Sequence, residues 1–336
     1  MAINTTYFLG AGASKALYPT LPLASELTLE FLLDRRGLPV GFDEAIEQVE
    51  AYITAQRWPQ QKRSIPFEQI YSDFPANLPP FWPRENLEIC LFRKLRIEGT
   101  GAVPHSWLEA NLYSGNPILT TNYDTVIEWG VENLSIAPIG YGDSGIIDYG
   151  IPDDLCVPLR SGGPRMDGKP ERLLLLKLYG SLGWSQCQSC GRYRLERIYD
   201  AEGANAIMGR GKCGACNATQ RNAVFVPLVG DKKPSNPGLR AVWDRAEHVL
   251  SESSQIVFAG FSLDPNDRGI GGLLRRASAS RQPQKVIVVQ RAHNPGILER
   301  YKSIYGDRVV GYDSGWVQYL REFSREENRR LVQNKV

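Results

Sequence analysis

Four of the six cysteines stand in two closely spaced pairs, an arrangement that suits a bound metal ion. Residues 191–212, a stretch of 22, separate the first pair from the second. This is slightly longer than the roughly 15–20 residues typical of such zinc sites. Four thiolates fill a tetrahedral zinc and leave no position for a substrate, so we expect one structural zinc per chain. Two separate redox dithiols are the alternative. The cysteines are Cys187, Cys190, Cys213 and Cys216.

A glycine-rich turn follows the first apolar run. Residues 7–14 indicate a strand that ends at Gly10, Ala11, Gly12 and Ser14, with a helical segment after a short loop. Small residues let the backbone approach a pyrophosphate, whose oxygens free N–H groups can hold. The third glycine of the usual dinucleotide fingerprint is absent, and Ser14 stands nearby. A tight strand-to-helix turn that binds no ligand is the alternative.

A second apolar run, residues 117–120, breaks into the polar residues Thr121, Asn122 and Asp124. Ligands of open parallel sheets lie at the carboxyl ends of strands, where these side chains fall. The neutral amide of Asn122 both donates and accepts, so it can orient a water or a ribose hydroxyl. Alternatively, Thr121 or Asp124 only caps the next helix.

Apolar runs rich in β-branched residues alternate with helical stretches elsewhere. This alternation predicts an α/β, Rossmann-like fold with a doubly wound, mainly parallel sheet. The predicted strands are Tyr7–Gly10, Pro117–Thr120, Leu173–Leu178, Gln255–Ala259, Lys285–Gln290 and, more weakly, Arg308–Gly311. The predicted helices are Leu23–Arg36, Glu44–Gln56, Glu85–Arg96, Ser106–Tyr113, Asp124–Glu132, Leu239–Ser251, Asp267–Ala279 and Trp316–Asn328.

We expect one domain over residues 1–336 that carries two insertions. A helical insertion spans residues 21–115, and a zinc ribbon spans residues 185–222. Two stretches lack periodicity: the proline-rich Pro75–Pro83 and the Gly-, Pro- and Asp-rich Ile136–Arg172, which we expect to be a long loop.

Composition excludes several protein classes. The formal charge of the 336 residues is only +2, so no strong field indicates a nucleic acid or a membrane surface. No apolar run reaches membrane-spanning length, and no signal peptide is evident, which leads us to expect a cytoplasmic protein. A disulfide framework is not expected in the cytoplasm, and we interpret Cys90 and Cys156 as small buried apolar residues.

The motifs, taken in order along nearly the whole chain, resemble the sirtuin superfamily. They look most like bacterial sirtuin-like proteins, several of which hydrolyse NAD in antiviral defence. The matching segments are Gly10–Ser14, Phe67-Glu68, Thr120–Asp124, Lys177–Trp184 and Gly260–Pro265. The order of these segments makes the match specific, since each alone is weak.

The resemblance implies a binding site for NAD or ADP-ribose. Asn122 and Asp124 would face the nicotinamide end, and Gly311-Tyr312-Asp313 loosely matches the family's last adenine-contacting segment. The phosphates and the adjacent ribose would contact Gly10, Ala11, Gly12 and Ser14, and the adenosine would contact Gly260, Phe261 and Ser262.

Two positions depart from the family pattern. Tyr179 stands where the family has a histidine that acts on the ribose as a general base. A tyrosine with an ordinary pKa near 10 is mostly neutral and a poor base near pH 7. Gln290-Arg291 stands where classical sirtuins have an asparagine and an acidic residue, which argues against recognition of a peptide substrate.

Three functions follow from these features. The first is an NAD glycohydrolase, in which Asn122 positions the water or a ribose hydroxyl and Tyr179 hydrogen-bonds a ribose hydroxyl. The second is a non-catalytic module that senses NAD or ADP-ribose, which Tyr179 favours. The third, with the least support, is an NAD-dependent protein deacylase. A homo-oligomer or a partner ATPase or defence protein is expected by family analogy alone.

Overall fold

The computed structural model describes residues 5–36, 43–75, 83–95, 103–132, 147–157, 172–195, 212–218, 221–225 and 236–323, with residues 97, 134 and 234. Most of the predicted loop Ile136–Arg172, residues 76–82 of Pro75–Pro83, and the last residues of the helix predicted at Trp316–Asn328 lie outside these ranges.

The described chain contains ten strands. They are β1 (Thr5–Leu9), β2 (Ile118–Thr120), β3 (Ile147–Asp148), β4 (Leu173–Lys177), β5 (Gly180–Cys187), β6 (Tyr193–Leu195), β7 (Arg221–Phe225), β8 (Gln255–Ala259), β9 (Lys285–Val289) and β10 (Val309–Tyr312). Seven of these strands form the main sheet in the order β10-β9-β8-β1-β2-β4-β3, and all of their pairings are parallel. This confirms the α/β, Rossmann-like fold.

Helices accompany the main sheet, whose strands read as apolar runs because both faces are covered. For example, Phe8, Leu119, Leu176 and Phe258 are all fully buried. The helices are α1 (Ala11–Leu17), α2 (Leu29–Leu33), α3 (Asp43–Ala55), α4 (Phe67–Ile70), α5 (Pro83–Lys94), α6 (His105–Ser114), α7 (Val126–Glu132), α8 (Pro237–Glu252), α9 (Arg268–Ser280) and α10 (Pro295–Tyr305). A last helix is described over residues 316–323. None of the helices within the described ranges is long and apolar enough to cross a bilayer.

Several predicted elements need correction. The first helix begins at Ala11, within the glycine turn, and not after a short loop. The helix predicted over Leu23–Arg36 is a 3-10 turn, Ala24–Glu26, followed by α2, because Thr28 breaks the helix and caps the next one through Phe31 N.

Several elements were not predicted. One of them is α4, which begins at Phe67. Strand β3 lies within the stretch predicted to be a loop, and α10 was not predicted at all, although Asn294 caps it and Pro295 opens it.

The remaining three strands form a separate antiparallel sheet in the order β6-β5-β7. Only Leu178 and Tyr179 separate β4 of the main sheet from β5 of this small sheet. The small sheet carries the four paired cysteines at its end, where we predict the zinc ribbon. The boundaries 21–115 and 185–222 of the two insertions stay predictions.

Candidate functional site

The polar motifs meet at one edge of the main sheet. Because the strands are parallel, their carboxyl ends share that edge. Gly10 follows β1, Asn122 lies beyond β2, Tyr179 lies beyond β4, and Gly260 follows β8. The chain passes from β1 to β2 on one side of β1 and later returns to β8 on its other side. This switch point is where open α/β sheets bind ligands.

Two glycine turns pack against each other through their main chains. Gly12 N donates to Gly260 O at 3.0 Å, and Gly10 N donates to Ala259 O at 2.9 Å. Gly260 has a φ of +62°, and a Cβ at this position would lie 1.9 Å from Ala13 N. The carboxyl ends of β1 and β8 therefore meet through glycine backbone.

Asn122 joins these glycine turns to the end of β2. Its Nδ2 donates to Ser14 Oγ at 2.9 Å across 108 residues of sequence. The turn itself is anchored by Thr120, whose Oγ1 donates to Leu9 O at 2.9 Å and accepts from Asn122 N at 3.0 Å. The structure thus brings the predicted residues Ser14 and Asn122 into direct contact.

Asp124 caps a helix. Its Oδ1 accepts from Val126 N at 3.1 Å at the start of α7, in line with the capping alternative. A contact with nicotinamide stays a prediction for this residue.

A buried ion pair between β4 and α7 supports the Asn122 turn. Lys177, at the end of β4, donates to Asp124 O and to Glu128 Oε1, the latter at 3.0 Å. The Lys177 and Glu128 side chains are only 1% and 2% exposed. Sequence reasoning missed Glu128, although a lysine that ends an apolar strand is a signal that a buried partner is needed.

Tyr179 is hydrogen-bonded to a residue that the sequence analysis did not identify. Its hydroxyl donates to Asp267 Oδ1 at 2.6 Å, and its side chain is buried. Burial, together with the charge of Asp267, raises the pKa of Tyr179 well above its usual value, so the phenol is a neutral donor. Trp243 packs beside it and donates to Leu178 O at 2.6 Å.

Asp267 has a second role as the cap of α9. The same Oδ1 accepts from Ile270 N at 3.1 Å. Burial raises the pKa of this carboxyl, while the bonds from Tyr179 and Ile270 act in the opposite direction. The sequence carried one local signal for the residue, an aspartate directly before a helix.

The residues predicted for the adenosine side lie beyond β8. Phe261 packs on Phe8 with ring centroids 4.9 Å apart, and its carbonyl accepts from Tyr301 at 2.8 Å. Ser262 is exposed next to it. Tyr312 ends β10, and since β8 and β9 lie between β10 and β1, the sheet does not place it beside the Gly10 turn.

The four cysteines form one cluster. Their Sγ atoms all lie within 4.8 Å of one another, and the closest pairs, Cys187 with Cys216 and Cys190 with Cys213, are 3.6 and 3.7 Å apart. Tetrahedral zinc with bonds of about 2.3 Å would separate its sulfurs by about 3.8 Å. The cluster is therefore compatible with a metal site.

The two cysteine turns have the same backbone geometry. The residue after each second cysteine, Gly191 or Asn217, has a positive φ of 71° or 60°. Gly191 N donates to Cys187 O at 2.9 Å, and Asn217 N donates to Cys213 O at 2.8 Å. Each turn thus directs the thiols of its two cysteines toward the centre of the cluster.

The small sheet is attached to α8 through Tyr193. The Tyr193 hydroxyl donates to Asn236 Oδ1 and accepts from Gly238 N at 3.0 Å. Asn236 in turn caps α8 through Leu239 N at 3.1 Å. The position of the helix that leads into β8 therefore depends on the small sheet.

No family model and no curated protein match the sequence. Among solved structures, the chain is similar to a histidine-to-tyrosine mutant of Sir2 with a p53 peptide and NAD. The identity is 15%, with 97% of this chain and 94% of the other covered and a TM-score of 0.42. It is also similar to a Sir2 structure with an inhibitor, 2′-O-acetyl-ADP-ribose and a deacetylated p53 peptide. There the identity is 13%, the same shares are covered, and the TM-score is 0.43.

Proposed function

We propose that the chain binds NAD at the carboxyl edge of the main sheet and hydrolyses its nicotinamide–ribose bond. The observation that carries this proposal is the hydrogen bond from Asn122 to Ser14. It joins the glycine turns at the switch point to the polar end of β2, and we propose that a crevice for the ligand lies along them. A dinucleotide lying along the crevice would meet both groups.

The chemistry required of the protein is modest. The positively charged nicotinamide ring leaves as a neutral molecule, so the leaving group needs no proton. The glycine backbone at Gly10, Gly12 and Gly260 allows close approach of the pyrophosphate. Asn122, which is partly exposed, would orient the attacking water through its amide.

The direct test incubates the purified full chain with NAD and separates nicotinamide and ADP-ribose by chromatography. We expect release of both products, and a loss of about 10²-fold or more in Asn122→Ala because the water is no longer positioned. The matched control is Asn116→Ala, which removes an asparagine at the opposite, amino end of β2. Equal rates for both variants would contradict the proposed role of Asn122, and absence of products from the wild-type chain would contradict the hydrolase.

A second candidate function is a regulatory module that binds NAD or ADP-ribose without cleaving it. The raised pKa of Tyr179 favours it, because this phenol does not ionise near neutral pH. Replacement by histidine separates the two functions. Tyr179→His should create hydrolysis in a protein that only binds, whereas a hydrolase shows turnover before the replacement.

We also propose that the metal of the cysteine cluster is zinc. The four thiol ligands and the two matching turns support zinc, which would be structural because no ligand position is left for a substrate.

We further propose a cytoplasmic role in antiphage defence, in which self-assembly or a partner ATPase triggers the hydrolysis of NAD. A fall in cellular NAD after phage infection, present with the wild-type chain and absent with Asn122→Ala, is the expected result. Unchanged NAD in infected cells that express the wild-type chain would exclude this role.

A further inference from the structure

We propose that Asp267 acts through Tyr179 as the proton acceptor of the hydrolysis, so that the hydrogen-bonded tyrosine–aspartate pair serves as the base. This inference deepens the function proposed above and rests on it. Tyr179 is the group that touches the attacking water, and Asp267, which acts through it, is a positioning residue.

The contact joins distant parts of the sheet edge. Tyr179 follows β4, Asp267 belongs to the loop after β8, and β1 and β2 lie between these two strands. The ends of β4 and β8 are therefore three strand spacings apart, about 14 Å. The hydroxyl and the carboxylate nevertheless meet at 2.6 Å, so the Tyr179 side chain and the loop 260–267 together span the ends of β1 and β2. The Gly10 turn and Asn122 lie at those same strand ends.

Neighbouring groups place the pair close to Asn122. Tyr123, the next residue, accepts from Leu182 N at 3.2 Å through its carbonyl, which ties the Asn122 turn to the strand that follows Tyr179. Leu178 N, just before Tyr179, also donates to Thr120 O at 2.9 Å, so both residues that flank Tyr179 in this part of the chain are bonded to the turn that carries Asn122. We infer that a water held by the Asn122 amide would have the Tyr179 hydroxyl as its acceptor.

The proton transfer balances without any further reagent. The water oxygen forms a bond to ribose C1′ while the bond from C1′ to the nicotinamide nitrogen breaks and its electron pair leaves with nicotinamide. The water proton passes to Tyr179 Oη as the phenolic proton passes to Asp267 Oδ1. The Asp267 carboxyl then releases this proton to solvent, and ADP-ribose and nicotinamide are the products.

The surroundings of Asp267 suit an acceptor. Burial and the charge of Asp264 raise the pKa of the Asp267 carboxyl from its usual value, which brings it closer to neutral pH and makes it a stronger base. Tyr179 and Ile270 N donate to it and keep it ionised. A phenol alone would have to give up its proton to water at a far higher pH.

The test is Asp267→Asn, which keeps the size of the side chain and its ability to cap α9. In a hydrolysing protein we expect kcat to fall by roughly 10²- to 10⁴-fold with KM nearly unchanged. The wild-type kcat should rise with pH as Asp267 ionises, and the variant should lose this rise. Tyr179→Phe should lose the same activity, and the double variant should be no worse, because the two residues act as one unit.

Asp307→Asn is the control, since it removes an exposed carboxylate in the turn before β10, outside the loop 260–267. Its rate should stay within a few-fold of wild type. A wild-type kcat and pH profile in Asp267→Asn, or a change in KM alone, would overturn the pair while leaving the hydrolase intact. A wild-type chain that releases no nicotinamide overturns both.

Discussion

Gly260 is the residue on which the contact between the two glycine turns depends most directly. Its φ of +62° favours glycine, and its Cα faces Ala13 N too closely for any side chain. Gly306 provides a matched case, because it has the same φ of +62° but nothing within 4 Å of the point that a Cβ would occupy. Substitution of Gly260 and of Gly306 therefore separates the cost of backbone strain from the cost of the close approach to Ala13.

We predict that Gly306→Ala lowers the free energy of unfolding by roughly 1–3 kcal/mol, because its φ of 62° and ψ of −143° lie in a region that strongly favours glycine. Gly260→Ala should cost clearly more and abolish binding of NAD, because the two glycine turns must move apart. Urea unfolding and a thermal shift with NAD measure the two effects. Equal losses of stability, with NAD binding retained in both variants, would contradict the packing of Gly260 against the Gly10 turn.

The pair Lys177 and Glu128 is the other residue-scale feature with a sharp consequence. Both are buried, so removal of one leaves an uncompensated charge. Lys177→Met should cost about 3–5 kcal/mol in unfolding free energy, and the double variant Lys177→Met, Glu128→Leu should recover part of it. Additive losses in a double-mutant cycle would show that the two side chains are not coupled.

At the scale of elements, the small sheet and α8 are linked through Tyr193 and Asn236. We predict one zinc per chain by metal analysis, and its loss in Cys213→Ser. Because structural zinc contributes directly to folding, the variant should also melt at a lower temperature. Cys156→Ser is the control, since Cys156 lies beside Tyr193 but outside the cluster. Full zinc content in Cys213→Ser would be inconsistent with a four-thiolate site.

The helical segment between β1 and β2 contains a buried acid. The Tyr71 hydroxyl donates to Glu88 on α5, and burial raises the pKa of Glu88 to about 7. A folded pKa above the unfolded one means that stability is fully present below the unfolded pKa, near 4.3, and is lost as pH rises through about 7.

The chain should therefore be less stable at pH 8 than at pH 5, by on the order of 3 kcal/mol from this group. Glu88→Gln should remove that part of the pH dependence, as followed by urea unfolding at both values. Glu44→Gln, which changes an exposed residue of α3, should leave it in place. If the unfolding free energy of Glu88→Gln changed between pH 5 and pH 8 as much as that of the wild type, another group would be responsible for the pH dependence.

At the scale of the whole molecule, the proposed site combines elements from both halves of the sequence. A ligand bound there should stabilise the folded chain as a unit. NAD or ADP-ribose at 100 times its Kd should raise the free energy of unfolding by about 2.7 kcal/mol and shift the melting temperature upward. Asn122→Ala should show a smaller shift at the same concentration. Identical melting curves with and without both ligands would argue against the site.

The sequence was sufficient for six of the seven strands of the main sheet and not for the contacts within the site. Buried parallel strands such as β1 and β8 read as apolar runs, and strand-end motifs such as Gly10 and Asn122 are local. Strand β3 has only two residues, too few for a pattern. The Tyr179–Asp267 bond spans 88 residues, and a hydrogen bond between distant loops leaves no periodic trace in the sequence.

The glycine turns after β1 and β8 and the side chains beside them should tolerate mutation differently. Gly12 and Gly260 meet through a main-chain amide and carbonyl, and a Cβ on either residue would lie within 3 Å of the other. New substrate preferences would have to arise at the neighbouring strand ends, where Asn122 is partly exposed. Descendants of this chain should therefore diversify at those strand ends while the glycine turns stay as they are.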